Sequence, residues 1–330
     1  MGGALWSDAH YTDRATLRAA SATPTFKYDA DVKAGKVDKK AHKTLDPHGV
    51  GIRESCDSDA HPESRAVVVF CDVTGSMGEV PKVVQKKLPQ LMGLLLRKGY
   101  LAHPQIMIGA IGDATSDVVP LQVGQFESGI EIEDNLTNLF LEGGGGGSNH
   151  ESYELGLYFI ARHTKIDCYE KRGQKGFCFL IGDEMPYKDV KKDEVLRVIG
   201  DTLQADIPIS SILEELCEKY EVFFIIPNMT SNYNLSSIHS TWKKLLGQRA
   251  VKLDDPDGIS EFIASMVGAI EGVEIDDIAK DLADAGVAKS VTTAVTTALS
   301  RAGGADLSKK TKGADLALVE SGIGSGITTL

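Results

Sequence analysis

Asp72, Thr74 and Ser76 stand at alternate positions in Asp72-Val73-Thr74-Gly75-Ser76-Met77. One carboxylate and two hydroxyls so spaced, on a chain leaving an extended segment, can be aimed at a single point. Two further acidic segments, Gly112-Asp113 and Gly182-Asp183-Glu184, each follow an apolar run. Between them a glycine run, Gly143 to Gly147, leads into Ser148-Asn149-His150-Glu151. Every donor in this set is a hard oxygen, which is the ligand chemistry of Mg²⁺, Mn²⁺ or Ca²⁺ and not of a thiolate metal. Helix capping by Ser76 is the competing reading, but a cap needs one such residue and three are present. Asp113 fits either an ordinary turn or a support behind the ligands. No Gly-Lys-Ser/Thr follows the glycines, so they do not form a phosphate loop. Cys56, Asp57, Asp59 and His61, with one Cys and one His, read as a solvated polar segment instead of a metal cluster.

These residues need a scaffold that brings distant loops together. RAVVVFCD from Arg65 is a short, continuous apolar run, the pattern of a strand buried on both faces. QIMIGAIGD from Gln105, KGFCFLIGD from Lys175 and EVFFIIP from Glu221 repeat it, and AVKLDD from Ala250 closes the series. Helical spacing connects them: Val83, Val84, Leu88, Leu91, Leu94 and Leu95; Tyr153, Leu157, Ile160 and Ala161; Val195, Leu196, Ile199 and Leu203; Ile212, Leu213 and Leu216. Further helices are expected over 236–246 and 259–270. Strands alternating with helices predict an α/β fold, a doubly wound and mostly parallel sheet. SDVVPLQVGQF, after a short turn and carrying Pro120, suits one antiparallel edge strand. In such sheets ligands bind outside the carboxyl ends of the strands, where Asp72 and Asp183 fall.

The expected organisation is an N-terminal arm or small subdomain over 1–64, a sheet domain over 65–271, and a helical segment with a Gly/Ser-rich tail over 272–330. The N-terminal stretch has a lysine-rich part (Lys33 to Lys43), and its periodicity is too weak to place elements. Two short helical patterns, around 275–283 and 287–299, follow Gly272. Of the 330 residues 42% are hydrophobic and 25% charged, enough for a sizeable core. A formal charge of -12 disfavours nucleic acid and anionic membranes as partners. Five scattered cysteines suggest a reducing compartment. The first residues lack a signal-peptide pattern and no apolar run is long enough to span a bilayer, so the expected location is cytoplasmic.

The segment DVTGSM resembles the DxSxS signature of von Willebrand factor A domains, and the GGGGGSNHESYELGLY loop-to-helix and the DDPDGISEFIASMVGAI ending are similar to bacterial and phage-type members. The resemblance spans roughly 65–271. It implies a Rossmann-like fold with a metal-ion-dependent adhesion site, in which Asp72, Thr74 and Ser76 supply the first loop, Ser148 takes the place of the family's loop threonine, and Asp183 matches the final aspartate. Thr74 replaces the more usual serine and keeps its hydroxyl. Asn149 or Glu151 could serve in place of Ser148. The implied activity is binding, not catalysis: an Mg²⁺ (or Mn²⁺ or Ca²⁺) held by few carboxylates keeps positive charge for a partner's Asp or Glu. A MoxR-type AAA+ ATPase is one partner the resemblance suggests. A structural, self-assembling or virion-associated homo-oligomer is the other non-enzymatic reading. An α/β-hydrolase with Ser76, Asp183 and His239 has the right chain order, but Thr74 sits where the nucleophile elbow needs a small residue. A haloacid dehalogenase-type phosphatase would need an aspartate at position 74.

Overall fold

The computed structural model describes residues 5–144 and 147–303. Six strands form the central sheet: β1 (Arg65–Asp72), β2 (Pro104–Ile111), β3 (Leu121–Glu127), β4 (Gly176–Ile181), β5 (Tyr220–Pro227) and β6 (Ala250–Leu253). They lie in the order β3-β2-β1-β4-β5-β6. All neighbours are parallel except β3, which runs antiparallel to β2 at the edge. Pro120 ends just before β3 and its carbonyl accepts from Gly112 N at 2.9 Å. A ring nitrogen that cannot donate is thus kept outside the ladder.

The strands are buried because both faces of the sheet are covered. Along β1, Val67, Val69 and Cys71 enter one core and Ala66, Val68 and Phe70 the other. Helices Val80–Lys86, Leu88–Arg97 and Ile259–Ile270 cover the first face, joined by Ile275–Asp284 and Lys289–Arg301. Helices Tyr153–Arg162, Lys192–Val198, Ile209–Lys219 and Ser236–Leu246 cover the second. The chain is therefore an α/β protein with a doubly wound, mostly parallel sheet. Among the described residues no helix is long and apolar enough to cross a membrane. All five cysteines are free.

Three details differ from the sequence pattern. The apolar face over 83–95 is one stripe in sequence but two helices, broken at Lys87; Pro89 stands in the first turn of the second, where its missing N–H costs nothing. The face expected to reach Leu203 stops at Val198, because Gly200 turns the chain at φ +100°. In the N-terminal 64 residues, where no element could be placed, the chain forms helices Asp8–Ala20 and Lys27–Lys33 and a strand, Arg53–Ser55, paired with Thr164–Ile166. The first helix buries none of its own residues. It is held instead by Arg14 and Arg18 reaching the buried Glu133. Phe26 and Leu45 enter the core beside it.

Asp57 ties the segment before β1 to helix Asp167–Arg172. It accepts from Ser64 N at 3.0 Å, from Ser64 Oγ at 2.7 Å and from Arg172 Nη1 at 2.7 Å. Partial burial raises its pKa, but these donors outweigh burial and hold it down at about 2. A depressed carboxylate contributes stability above its unfolded value, near 4, and loses it as pH falls toward 2. Asp57→Asn should therefore cost on the order of 1 kcal/mol at pH 7, a figure reduced for solvent screening. In urea unfolding the gap to wild type should narrow below about pH 4 and close as pH falls through about 2. A gap independent of pH would contradict this account.

Candidate metal centre

The chain leaves β1 toward β2 on one side and later returns on the other side to form β4. The winding reverses between β1 and β4, and in sheets of this kind ligands bind at the carboxyl ends beside such a reversal. Asp72 ends β1 and Asp183 follows β4, so the two acids come from neighbouring strands. Both are fully buried.

Hydrogen bonds and one hydroxyl–hydroxyl contact link the two. Asp72 Oδ1 accepts from Thr74 N at 2.9 Å and from Thr74 Oγ1 at 2.6 Å. Thr74 Oγ1 lies 3.4 Å from Ser76 Oγ, which donates to Asp183 Oδ1 at 2.6 Å. Tyr153 Oη donates to Asp72 Oδ2 at 2.7 Å, and Asn232 N donates to Asp183 Oδ2 at 2.9 Å. Two glycines make this closeness possible. A Cβ on Gly75 would stand 3.0 Å from the carbonyl oxygen of Gly143, against which the loop packs. A Cβ on Gly182 would lie 2.0 Å from Tyr153 Oη.

The electrostatics are one-sided. Among the described residues, none of Asp72, Asp113, Glu151, Asp183 and Glu184 forms an ion pair with Lys, Arg or His. Burial, only partly offset by hydrogen bonds from Thr74 and Tyr153, pushes Asp72 up to about 7. Burial, together with Asp72 and Glu184, pushes Glu151 up to about 11. Glu184 is likewise raised by burial and by Asp183. The folded chain thus gathers carboxyl groups that keep their protons more readily than free ones, with no positive partner for them among the described residues.

Four of the expected ligands, Asp72, Thr74, Ser76 and Asp183, are brought together. Ser148 is exposed and outside that cluster: its hydroxyl accepts from His150 N at 3.2 Å and donates to His150 O at 3.3 Å. Asn149 is also exposed, at φ +54°. Glu151 is buried. Gly145 and Gly146 lie outside the described residues. Asp113 sits at the end of β2 in a cradle of its own, accepting from Thr115 N at 2.9 Å, Thr115 Oγ1 at 2.7 Å and Tyr187 Oη at 3.1 Å. His239 does not approach Ser76. It lies within the Ser236–Leu246 helix with Nε2 3.3 Å from the Ala250 carbonyl, and Ser76 donates straight to Asp183, so no Ser–His–Asp relay is formed.

Three contributors are not evident from the site motifs. Tyr153 is one tooth of an apolar helical face; the signal is a hydroxyl on that face in the helix's first turn, next to the loop. Asn232 donates through its backbone N to Asp183 and through Nδ2 to Glu184 Oε1 at 3.3 Å, from a loop with no motif of its own. Trp242 reaches the Glu184 carbonyl through Nε1 at 2.9 Å, from a helix 58 residues away in sequence.

The donor set fits a hard divalent ion. Each hydroxyl has already given its proton to a carboxylate, so its lone pairs remain available to a cation. Two carboxylates and two hydroxyls are oxygen ligands of the kind Mg²⁺ takes. Among the described residues no three His, Cys, Asp or Glu side chains are arranged to hold a metal, so such a site depends on the hydroxyls.

No protein-family model matches the chain, and no curated protein does. Solved structures of similar shape include the pilus adhesin SpaC from Lactobacillus rhamnosus GG in its open conformation. It is 10% identical, with a TM-score of 0.46, over 66% of this chain and 31% of that one. Proximal thread matrix protein 1 from the mussel byssus is 10% identical, with a TM-score of 0.39, over 64% of this chain and 48% of that one. A von Willebrand factor type A structure from Catenulispora acidiphila is 15% identical, with a TM-score of 0.38, over 64% and 44%. The chain thus spans less than half the length of each of these.

Proposed function

We propose that this chain is a von Willebrand factor A-type interaction module that captures a protein partner through a divalent cation and performs no catalysis. The observation that carries this reading is the cluster at the switch point of the sheet, Thr74 donating to Asp72 and Ser76 to Asp183 with the two hydroxyl oxygens 3.4 Å apart, and no counter-cation among the described residues. Asp72, Asp183, Thr74 and Ser76 would hold Mg²⁺ or Mn²⁺. The bound ion supplies a positive pole with room for one oxygen of a partner, such as an Asp or Glu side chain. The protein's own residues do the positioning: Tyr153 and Asn232 fix the two carboxylates, and the packed loops around Gly75 and Gly182 exclude water from their inner sides. A MoxR-type AAA+ ATPase is the partner we would look for first, in a cytoplasmic setting.

Calorimetric titration of Mg²⁺ and Mn²⁺ into metal-stripped protein tests this. Wild type should bind one ion, and Asp72→Ala/Ser76→Ala, checked for folding by circular dichroism, should bind none. A wild-type protein that takes up neither ion would remove the basis for the proposal.

A further inference from the structure

Phe140-Leu141-Glu142 leads into the glycine run, and residues from the N-terminal segment grip it there. Asp29, buried on helix Lys27–Lys33, accepts from Leu141 N at 3.0 Å through Oδ1. Lys39 Nζ lies 2.7 Å from Oε2 of the buried Glu142, whose Oε1 accepts from Val118 N at 2.7 Å and Val119 N at 3.0 Å. Between these anchors Phe140 is buried in a small apolar cluster with Val32 and Val119. The ammonium groups of Lys39 and Lys33 stand 5.4 Å and 6.0 Å from its ring centre. Gln122 completes the grip from β3, accepting from Phe140 N at 2.9 Å and donating to Phe140 O at 2.8 Å.

The next two residues carry that position to the metal-site motif. Gly143 N donates to Val73 O at 3.2 Å, and Gly75 N donates to Gly144 O at 2.7 Å. The two bonds flank Thr74 on either side. Contact is close as well, since a Cβ on Gly75 would stand 3.0 Å and 3.1 Å from the carbonyl oxygens of Gly143 and Gly144. Residues 140–144 thus form a strut, held at one end by Asp29, Lys39 and Gln122 and pressed at the other against the backbone around Thr74. A displacement of the strut is transmitted, because packed and hydrogen-bonded elements move together.

We propose that Asp29 and Lys39 are positioning residues for the candidate metal centre, an inference that rests on the metal-site reading above. They act through the backbone of 141–144, which keeps Asp72, Thr74 and Ser76 in the arrangement that receives a divalent ion. With the grip released, the loop is competent for a smaller fraction of the time, and ion affinity falls by that fraction. The N-terminal segment is therefore part of the site, and displacing it lowers the affinity for the ion.

The test uses the full chain, with Mn²⁺ titration and, in metal-free buffer, amide hydrogen exchange. Asp29→Leu should weaken Mn²⁺ binding about fivefold. Asp29→Asn, which keeps an acceptor for Leu141 N, should stay within about twofold of wild type. Both variants lose the same charge, so a through-space effect on the cation would shift them alike. Lys39→Met sharpens the distinction and, at a half-exposed position, leaves the core intact. Removing a positive charge favours a cation by Coulomb's law, whereas loss of the grip weakens its binding, and weaker binding is expected. In Asp29→Leu and Lys39→Met the Gly75 and Gly143 amides should exchange faster than in wild type, and in Asp29→Asn at the wild-type rate. Wild-type Mn²⁺ affinity in both Asp29→Leu and Lys39→Met, with binding still abolished by Asp72→Ala/Ser76→Ala, would overturn this proposal and leave the metal site standing. Equal losses in Asp29→Leu and Asp29→Asn, or tighter binding in Lys39→Met, would overturn it too. Absence of Mn²⁺ binding by wild type would remove the metal-site reading and this one with it, so the two failures are read from different proteins.

Discussion

Truncating Trp242 to alanine is expected to lower the unfolding free energy by about 3–5 kcal/mol, the usual cost of deleting a large buried aromatic. Trp242 is fully buried and stacks on Phe224 with ring centroids 3.8 Å apart and planes 12° from parallel. Its edge meets Tyr153 at 5.3 Å, and Nε1 donates to the Glu184 carbonyl. Alanine removes the stacking, leaves a cavity and strands that carbonyl. Native domains are stable by only about 5–15 kcal/mol, so the loss is a large fraction of the total. It also reaches the site, because Tyr153 fixes Asp72 and the Glu184 loop carries Asp183. Urea unfolding measures the first effect and Mn²⁺ titration the second. Trp242→Phe, which keeps the stack and loses only the donor, should recover most of the stability. A Trp242→Ala protein as stable as wild type would show that the packing around the Ser236–Leu246 helix has been misjudged.

Lys87→Met should cost about 3–5 kcal/mol at neutral pH, because it breaks a buried ion pair from one side. Glu261 is fully buried on helix Ile259–Ile270, and Lys87 Nζ lies 2.8 Å from its Oε1. Burial already raises the pKa of Glu261, and Lys87 partly offsets that. Without Lys87 the folded-state value climbs further above the unfolded one, near 4.3. A raised carboxylate penalises the folded state above its folded pKa, and the penalty disappears as pH falls below the unfolded value. The deficit should therefore be largest at pH 7 and shrink toward pH 4. Adding Glu261→Gln to Lys87→Met should restore much of the stability at pH 7. An equal deficit at pH 4 and pH 7 would mean that lost packing of the lysine stem, not the orphaned charge, is responsible.

The sheet was legible in the sequence because a strand buried on both faces has one strong signature. RAVVVFCD, KGFCFLIGD and EVFFIIP leave no alternative at their length, and each begins and ends within a residue or two of the structural strand. Asp72, Thr74 and Ser76 were legible for a related reason: they follow such a strand directly, so the fold alone dictates where they point. Ser148 illustrates the limit. A glycine run does not constrain the residues after it, and only the pairing of His150–Glu151 with Met185–Pro186, which is non-local, determines that Glu151 turns inward. The N-terminal helices were illegible because Asp8–Ala20 buries no residue and so lacks an apolar stripe. It is fixed by Arg14 and Arg18 meeting Glu133, a contact between charges more than a hundred residues apart.

The place of β1 at the centre of the sheet has a consequence for biosynthesis. β1 leaves the ribosome before the other strands of the sheet, with both faces apolar, and one of its two neighbours, β4, follows some hundred residues later. At about 5–20 residues per second the segment Val67-Val68-Val69-Phe70 waits about 5–20 s with one edge unpaired. In that interval β2 and β3 can pair on the other side, but the edge that will receive β4 is a template for any passing strand. The nascent chain is therefore most exposed to aggregation between the synthesis of β3 and that of β4, and holdase chaperones acting in that window should govern its yield more than the final stability does.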